Sequence, residues 1–258
     1  GGNAIDAGVA VGIALAVTLP RAGNVGGGGF MLIHIASENR TIAIDFRETA
    51  PAASTNDMYF DTNGEVNNSE FRFTHKSSAV PGTVAGFDHI LRHYGTMNWE
   101  QVIGPAIDLA QNGIVVTEDL ANNLANAKER LSTNRNTRST YYKPNGELYV
   151  AGEIFKQPEL AWTLKHIAKG GAQAFYRGAI AERIALDMQK HNGLITMNDL
   201  ANYQVVERTP VVGTFHDYTI AAMSAPSSGG MHILQMLNIF ENYPLAQMGY
   251  GSADAIHL

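Results

Sequence analysis

The chain has 258 residues, 45% hydrophobic and 16% charged, enough to bury a sizeable core in one large domain or two small ones. A net charge of -6, with no lysine- or arginine-rich run, argues against the phosphate footprint of a nucleic-acid surface. The absence of cysteine excludes disulfides, thiolate metal sites and a cysteine nucleophile. In chain order, the first predicted element is a helix opened by a capping box, with Asn3 as cap and Asp6 reaching back to it. Its apolar run, Ala7 to Leu19, is about half a bilayer span and has no basic flank, so it reads as a core helix rather than a membrane segment. Four consecutive glycines, Gly26 to Gly29, then precede Phe30 to Ile35, which pairs with Thr41 to Phe46 as a hairpin. Alternation puts Ile42, Ile44 and Phe46 on one face and Asp45 and Arg47 on the other, with Arg47 at the strand end.

Helix signals dominate the middle of the chain. Helices are predicted over Thr83 to Tyr94, over Asn98 to Asn112 with Gln101 completing a capping box and Gly113 as stop, and over Thr117 to Leu131. In the last of these Leu120, Leu124, Ala127 and Leu131 fall in register. Ser132 to Gly152 reads as polar and irregular. Pro158 opens a helix toward Gly170, and another runs from Ala172 to about His191. Thr196 to Tyr203 reads as a short capped helix, and Val211 to Phe215 with Tyr218 to Met223 as a second strand pair. Pro226-Ser-Ser-Gly-Gly230 then opens an apolar helix from Met231 to Phe240. Both ends are expected to be cuts: the first helix has no element before it, and Gly251 to Leu258 reads as an N-cap and two helical turns.

Four groups of residues invite a chemical reading. Glycines ahead of a strand are in the wrong order for a dinucleotide or phosphate loop, and serve either positive φ and tight packing or a substrate-facing backbone. His89 and His93, four apart in HILRH, could pair on a metal, but the adjacent glutamate and a third ligand are missing. Ser227 and Ser228, with His232 nearby, lack the GxSxG frame of a hydrolase and suit a helix cap. Arg47, in DFRETAP, offers a planar fork to a carboxylate, or a structural ion pair to Asp45 or Glu48.

Longer blocks narrow these alternatives. GGNAIDAGVAVGIALAV, LPRAGNVGGGGFMLI, AIDFRETAP, VPGTVAGF, YGTMNWEQVIGPAIDLAQNG, NDLANYQVVERTPV and APSSGGMHILQMLNI together resemble the large-subunit part of a bacterial γ-glutamyltranspeptidase, from Gly1 to Leu258. The resemblance implies an α/β (α+β) chain of N-terminal-nucleophile hydrolase type, an αββα sandwich here incomplete: a single domain, 1–258, truncated at both ends. It implies a precursor that cleaves itself into large and small subunits, with the new N-terminal threonine of the small subunit as nucleophile and its own amine as base. The activity implied is γ-glutamyl transfer from glutathione or other γ-glutamyl compounds to water, amino acids or peptides. No segment resembles the threonine-threonine cleavage site, so no catalytic residue is assigned in this chain. Arg47 matches the arginine that binds the donor α-carboxylate, and is the one substrate-binding residue expected. Gly26 to Gly29 are expected to pack beneath the site, and Ser227 and Ser228 to be structural. The implied partner is the small subunit, in a heterodimer, with a periplasmic or secreted location and no cofactor, metal or nucleic acid. A related acylase of the same superfamily, acting on cephalosporin side chains or poly-γ-glutamate, would keep the fold and change the donor pocket, and a non-catalytic scaffold homologue is the third alternative.

Overall fold

The computed structural model describes residues 1–258. They pack as two compact units: Gly1–Gly28 with Arg47–Gln204, and Gly29–Phe46 with Val205–Leu258.

The first unit is helical. Its helices are α1 (Ala4–Thr18), α2 (Asn68–Phe73), α3 (Thr83–Tyr94), α4 (Trp99–Asn112), α5 (Glu118–Leu131), α6 (Arg135–Tyr141), α7 (Pro158–Tyr176), α8 (Ala179–Lys190) and α9 (Met197–Ala201). The predicted capping boxes of α1 and α4 both form. α4 packs against both α1 and α7, so Val9, Ile13 and Val17 meet a core shared with Ile103, Ala106, Leu164 and Ile167. Each such large aliphatic side chain contributes roughly 1.5–3 kcal/mol of burial. Two turns of α1 are less enclosed than its composition suggests, with Val11 and Leu15 exposed.

The helix ends are set by local chemistry. Gly113 terminates α4 at φ 100°, where a side chain would be strained, and leads into a two-residue strand, β3 (Ile114–Val115), paired with β4 (Ile154–Phe155). The break foreseen near Gly170 lies at Gly171, with φ 56° and ψ -150°. Asp88 holds it, accepting from the Trp99 indole at 2.7 Å and the Ala172 amide at 3.3 Å. The helix expected from Ala172 to His191 is instead two, divided at Gly178, where α8 begins. α6 lies in the stretch expected to be irregular; Asn134 caps it through a side-chain oxygen.

The second unit carries a three-stranded antiparallel sheet of order β1-β2-β5, formed by β1 (Phe30–Ile35), β2 (Arg40–Asp45) and β5 (Val206–Arg208). The predicted hairpin forms, with Ile33 opposite Ile42 and Phe30 opposite Asp45. The alternation predicted for β2 does not: Ile42 through Phe46 are all buried. As the central strand it is enclosed on both faces, and the one acid there, Asp45, accepts from Arg208 Nε at 2.8 Å across the β2–β5 ladder. A separate hairpin, β6 (Val211–Phe215) with β7 (Tyr218–Ala222), packs against α10 (Gly229–Phe240), followed by the short α11 (Leu245–Met248) and α12 (Ala253–His257). No helix is long and apolar enough to cross a membrane.

Asp6 ties the helical unit together and supplies a test. Its carboxylate accepts from the Asn3 amide at 2.7 Å, the Thr96 hydroxyl at 2.7 Å, the Thr96 amide at 3.0 Å and the Met97 amide at 3.1 Å. Burial alone would raise its pKa, but the hydrogen bonds from Thr96, Asn3 and Met97 outweigh it and bring the value down to about 2. A folded pKa below the unfolded 3.8 means a contribution complete above about pH 4 and lost as pH falls through about 2. Asp6→Asn should therefore cost about 2 kcal/mol or more in urea unfolding at pH 7. The gap to the unmutated protein should narrow between pH 4 and 2; equal stability at pH 7 would refute the role given to this carboxylate.

Candidate functional site

Arg47 stands two residues beyond β2. The β1–β2 ladder runs one pair past the named strands: the Phe46 amide donates to Gly29 O at 3.1 Å, and the Gly29 amide to Phe46 O at 3.3 Å. Arg47 is thus the first residue after the ladder ends, with an exposed side chain. Its backbone is fixed within the helical unit, where the Tyr203 hydroxyl donates to Arg47 O at 2.8 Å. Tyr203 in turn stacks on Tyr176 at the end of α7, with centroids 5.8 Å apart and rings inclined by 12°. The buried Tyr176 hydroxyl donates to Pro81 O at 2.7 Å and accepts from the Ala85 amide at 3.2 Å. Burial pushes this phenol up, far from ionisation, so it remains the donor that the Pro81 carbonyl requires. Two aromatic rings thereby connect the start of α3 to the Arg47 carbonyl.

Downstream of Arg47 the chain is pinned twice more. Thr49 and Val80 exchange backbone hydrogen bonds, 2.8 Å from the Val80 amide and 3.2 Å from the Thr49 amide. The Ala52 amide donates at 2.8 Å to Asp199, which also closes the capping box of α9 with Thr196. Burial raises the Asp199 pKa, but the Thr196 hydroxyl and the Ala52 and Thr196 amides prevail and hold it below the usual carboxylate range. Thr49, Ala52, Val80, Asp199 and Tyr203 border an open cavity of ≈ 370 Å³. The arrangement places a guanidinium on a rigid backbone and contains no assembled nucleophile and base.

The other candidate residues take structural places. None of Gly26 to Gly29 has positive φ, so that half of the packing expectation fails. Close approach does apply at two of them: a Cβ on Gly27 would lie 2.7 Å from the Asn24 side chain, and one on Gly29 would lie 2.8 Å from the Phe46 ring. Gly27 O accepts the Gly82 and Thr83 amides at 2.7 and 3.0 Å, which seats the glycine loop on the start of α3. Ser227 Oγ accepts from the Gly229 amide at 3.3 Å, whereas Ser228, at the cap position, makes no side-chain cap bond. His89 and His93 face each other with ring centroids 4.2 Å apart, and His93 Nδ1 lies 2.8 Å from the His89 carbonyl, with no third ligand assembled around them. Asp45, one of the two acids proposed as an ion-pair partner for Arg47, is engaged by Arg208. Sequence reading missed Tyr176, Tyr203 and Asp199. Of these Asp199 had a signal, the T-x-x-D capping box, while Tyr203 reaches Arg47 across 156 residues and had none.

The family profile described as Gamma-glutamyltranspeptidase matches residues 1–258. The chain belongs to the γ-glutamyltranspeptidase family. It is 49% identical over its whole length to a glutathione hydrolase proenzyme of Escherichia coli strain K12, of which it spans 44%. The crystal structure of Helicobacter pylori γ-glutamyltranspeptidase superposes with a TM-score of 0.96 at 46% identity, covering all of this chain and 73% of that one. An acylase proenzyme of Pseudomonas sp. strain V22, ACY 1, is 37% identical over the whole chain, which spans 47% of it. The fold is therefore that of the family's α+β N-terminal-nucleophile hydrolases, and the chain spans under half the length of these curated relatives.

The Tyr203 contact is testable on its own. Tyr203→Phe should keep the ring stack and cost about 1 kcal/mol, the usual net worth of one hydrogen bond. Amide hydrogen exchange over residues 47–52 should speed up while the helices stay protected; unchanged exchange there would mean that the hydroxyl does not hold Arg47.

Proposed function

We propose that the protein to which this chain belongs transfers γ-glutamyl groups from glutathione and related donors to water or to amino acids and peptides. The reading is carried by the match of the family profile across all of residues 1–258. Identity of 49% to a glutathione hydrolase proenzyme against 37% to an acylase proenzyme favours it over the acylase reading. The chain serves as part of the large subunit, within one domain, and its partner is the small subunit of the same precursor. The nucleophile is an N-terminal threonine of that subunit, whose hydroxyl attacks the γ-carbonyl while its own amine takes the proton and passes it to the departing amine as the γ-amide bond breaks. The γ-glutamyl ester so formed passes to water or to an acceptor amine. No cofactor enters this scheme. A periplasmic or secreted location goes with the same reading.

Arg47 is the residue of this chain that meets substrate. Its guanidinium offers paired donors to the donor α-carboxylate, and the fixed carbonyl beneath it lowers the ordering cost of that contact. In the processed enzyme, Arg47→Ala should lower kcat/KM for a γ-glutamyl anilide about ten- to a hundredfold, equivalent to roughly 1.5–3 kcal/mol, with self-cleavage intact. Arg47→Lys should recover part of the loss, because a point charge replaces the fork. Normal donor kinetics in Arg47→Ala would remove Arg47 from the site. Turnover of a cephalosporin side-chain amide in preference to the γ-glutamyl anilide would establish the acylase reading instead.

A further inference from the structure

A second group of chemically capable side chains lies in the helical unit. His75 opens a one-turn 3-10 helix, His75–Ser77; Asp187 lies in the last turn of α8, and His191 is its C-cap. His75 Nε2 is 3.0 Å from Asp187 Oδ2, and His191 Nδ1 is 3.3 Å from Asp187 Oδ1, so each carboxylate oxygen faces a different imidazole. One nitrogen from each ring and one carboxylate oxygen all lie within 4.8 Å of one another. The first residue is 112 positions from the second, so only the tertiary fold brings them together.

Three further observations bear on what this trio holds. The two rings stack face to face, with centroids 4.4 Å apart and 16° between planes. The neighbouring cation is occupied elsewhere: Lys76 donates to Glu70 at 2.8 Å and to Met58 O. The turn after α8 is also shaped around the trio. Asn192 adopts φ 58°, and a Cβ on Gly193 would strike the Met188 sulphur and approach His75 Cβ to 3.1 Å. With its proton on Nδ1, His191 donates to the Asp187 carbonyl 2.9 Å away, which sets the ring and frees Nε2 for an ion. The other tautomer frees Nδ1. Side-chain exposures of 25% for His75, 46% for Asp187 and 35% for His191 leave an entry path, and room for water to complete a coordination shell.

We propose that His75, Asp187 and His191 form a binding site for a divalent transition cation of the zinc, cobalt or nickel class, with water as the remaining ligand. Two imidazoles and a carboxylate are the donor set that borderline cations prefer, and they disfavour magnesium and calcium, which take all-oxygen shells. One nitrogen of each ring and a carboxylate oxygen lie within 4.8 Å of one another, within reach of an ion whose own bonds are about 2.0–2.2 Å long once the side chains rotate onto it. Binding would clip the turn at His75 to the end of α8. That turn leads within five residues to Val80, the partner of Thr49.

The test is calorimetric titration of Zn²⁺ into the metal-stripped, full-length processed protein. The unmutated protein should show saturable binding, weakened at least about tenfold by His75→Ala, by His191→Ala and by Asp187→Asn, and unchanged by His89→Ala. At hundredfold excess over its Kd, Zn²⁺ should raise the melting temperature of the unmutated protein by roughly 2 °C, but not that of the three variants. Absence of saturable binding, or binding untouched by His75→Ala and His191→Ala, overturns the proposal. So does loss of binding in His89→Ala, which would place the ion on the other histidine pair. Should a variant fail to fold, Zn²⁺ protection of His75 and His191 from diethylpyrocarbonate in the unmutated protein supports the site, and equal modification with and without Zn²⁺ overturns it.

Discussion

A buried carboxylate organises the helical unit. Asp6 is 2% exposed, a position an isolated charge could not occupy, and it is tolerated because the donors around it saturate both oxygens. These donors come from two places: the cap of α1 itself, and the Thr96-Met97 turn between α3 and α4. One side chain therefore fixes where α1 begins relative to the corner that α3 and α4 make. α4, with Ile103 and Ala106 buried, packs against both α1 and α7. At the far end of α7 sits Tyr176, from which the ring stack and hydroxyl lead to the Arg47 carbonyl. Loss of the Asp6 anchor would propagate along that series before it reached the site.

The division of labour follows from this construction. Three contacts that hold the segment after β2 engage backbone: Tyr203 on the Arg47 carbonyl, Thr49 with Val80, and Asp199 on the Ala52 amide. Such contacts position a loop and perform no proton transfer. Asp199, held below the ordinary carboxylate range, is an anion committed to three local donors and has little capacity to serve as a base. In the proposed function, the chain supplies an edge on which a donor carboxylate is oriented, and the bond-making groups are those of the small subunit. Orientation of this kind acts on kcat/KM through placement of the substrate, and small displacements of the holding residues are expensive.

Local signals made much of the fold legible. The capping boxes at Asn3, Asn98 and Thr196 form as their spacing requires, because cap and N3 residue need only each other. The β1–β2 hairpin was likewise legible in its two apolar runs. What escaped depends on distant partners. β5 is three residues long and exists because β2 has a free edge to pair with, and β3 and β4 are two residues each, joined across about 40 positions of chain. The burial of Ala43 and Asp45 could not be read from alternation, since the pattern does not say which strand is central. Arg47 illustrates the same limit at the site: its residue type suits an ion pair and a ligand equally well, and only the resemblance of the DFRE block separated the two. Tyr203, 156 positions away, carries no local mark of its contact with Arg47.

In the proposed function Arg47 addresses the donor carboxylate and does not merely stabilise the strand end. The most direct measurement pairs the enzyme variant with a substrate variant: kcat/KM for a γ-glutamyl anilide and for its 4-aminobutanoyl counterpart, which lacks only the α-carboxylate, in the unmutated enzyme and in Arg47→Ala. If the two groups meet, removing either should cost about the same, and removing both should cost little more than removing one, giving a coupling of roughly 1.5–3 kcal/mol. Losses that simply add, with the anilide lacking its carboxylate as sensitive to Arg47→Ala as the complete donor, would contradict the account and return Arg47 to a structural role.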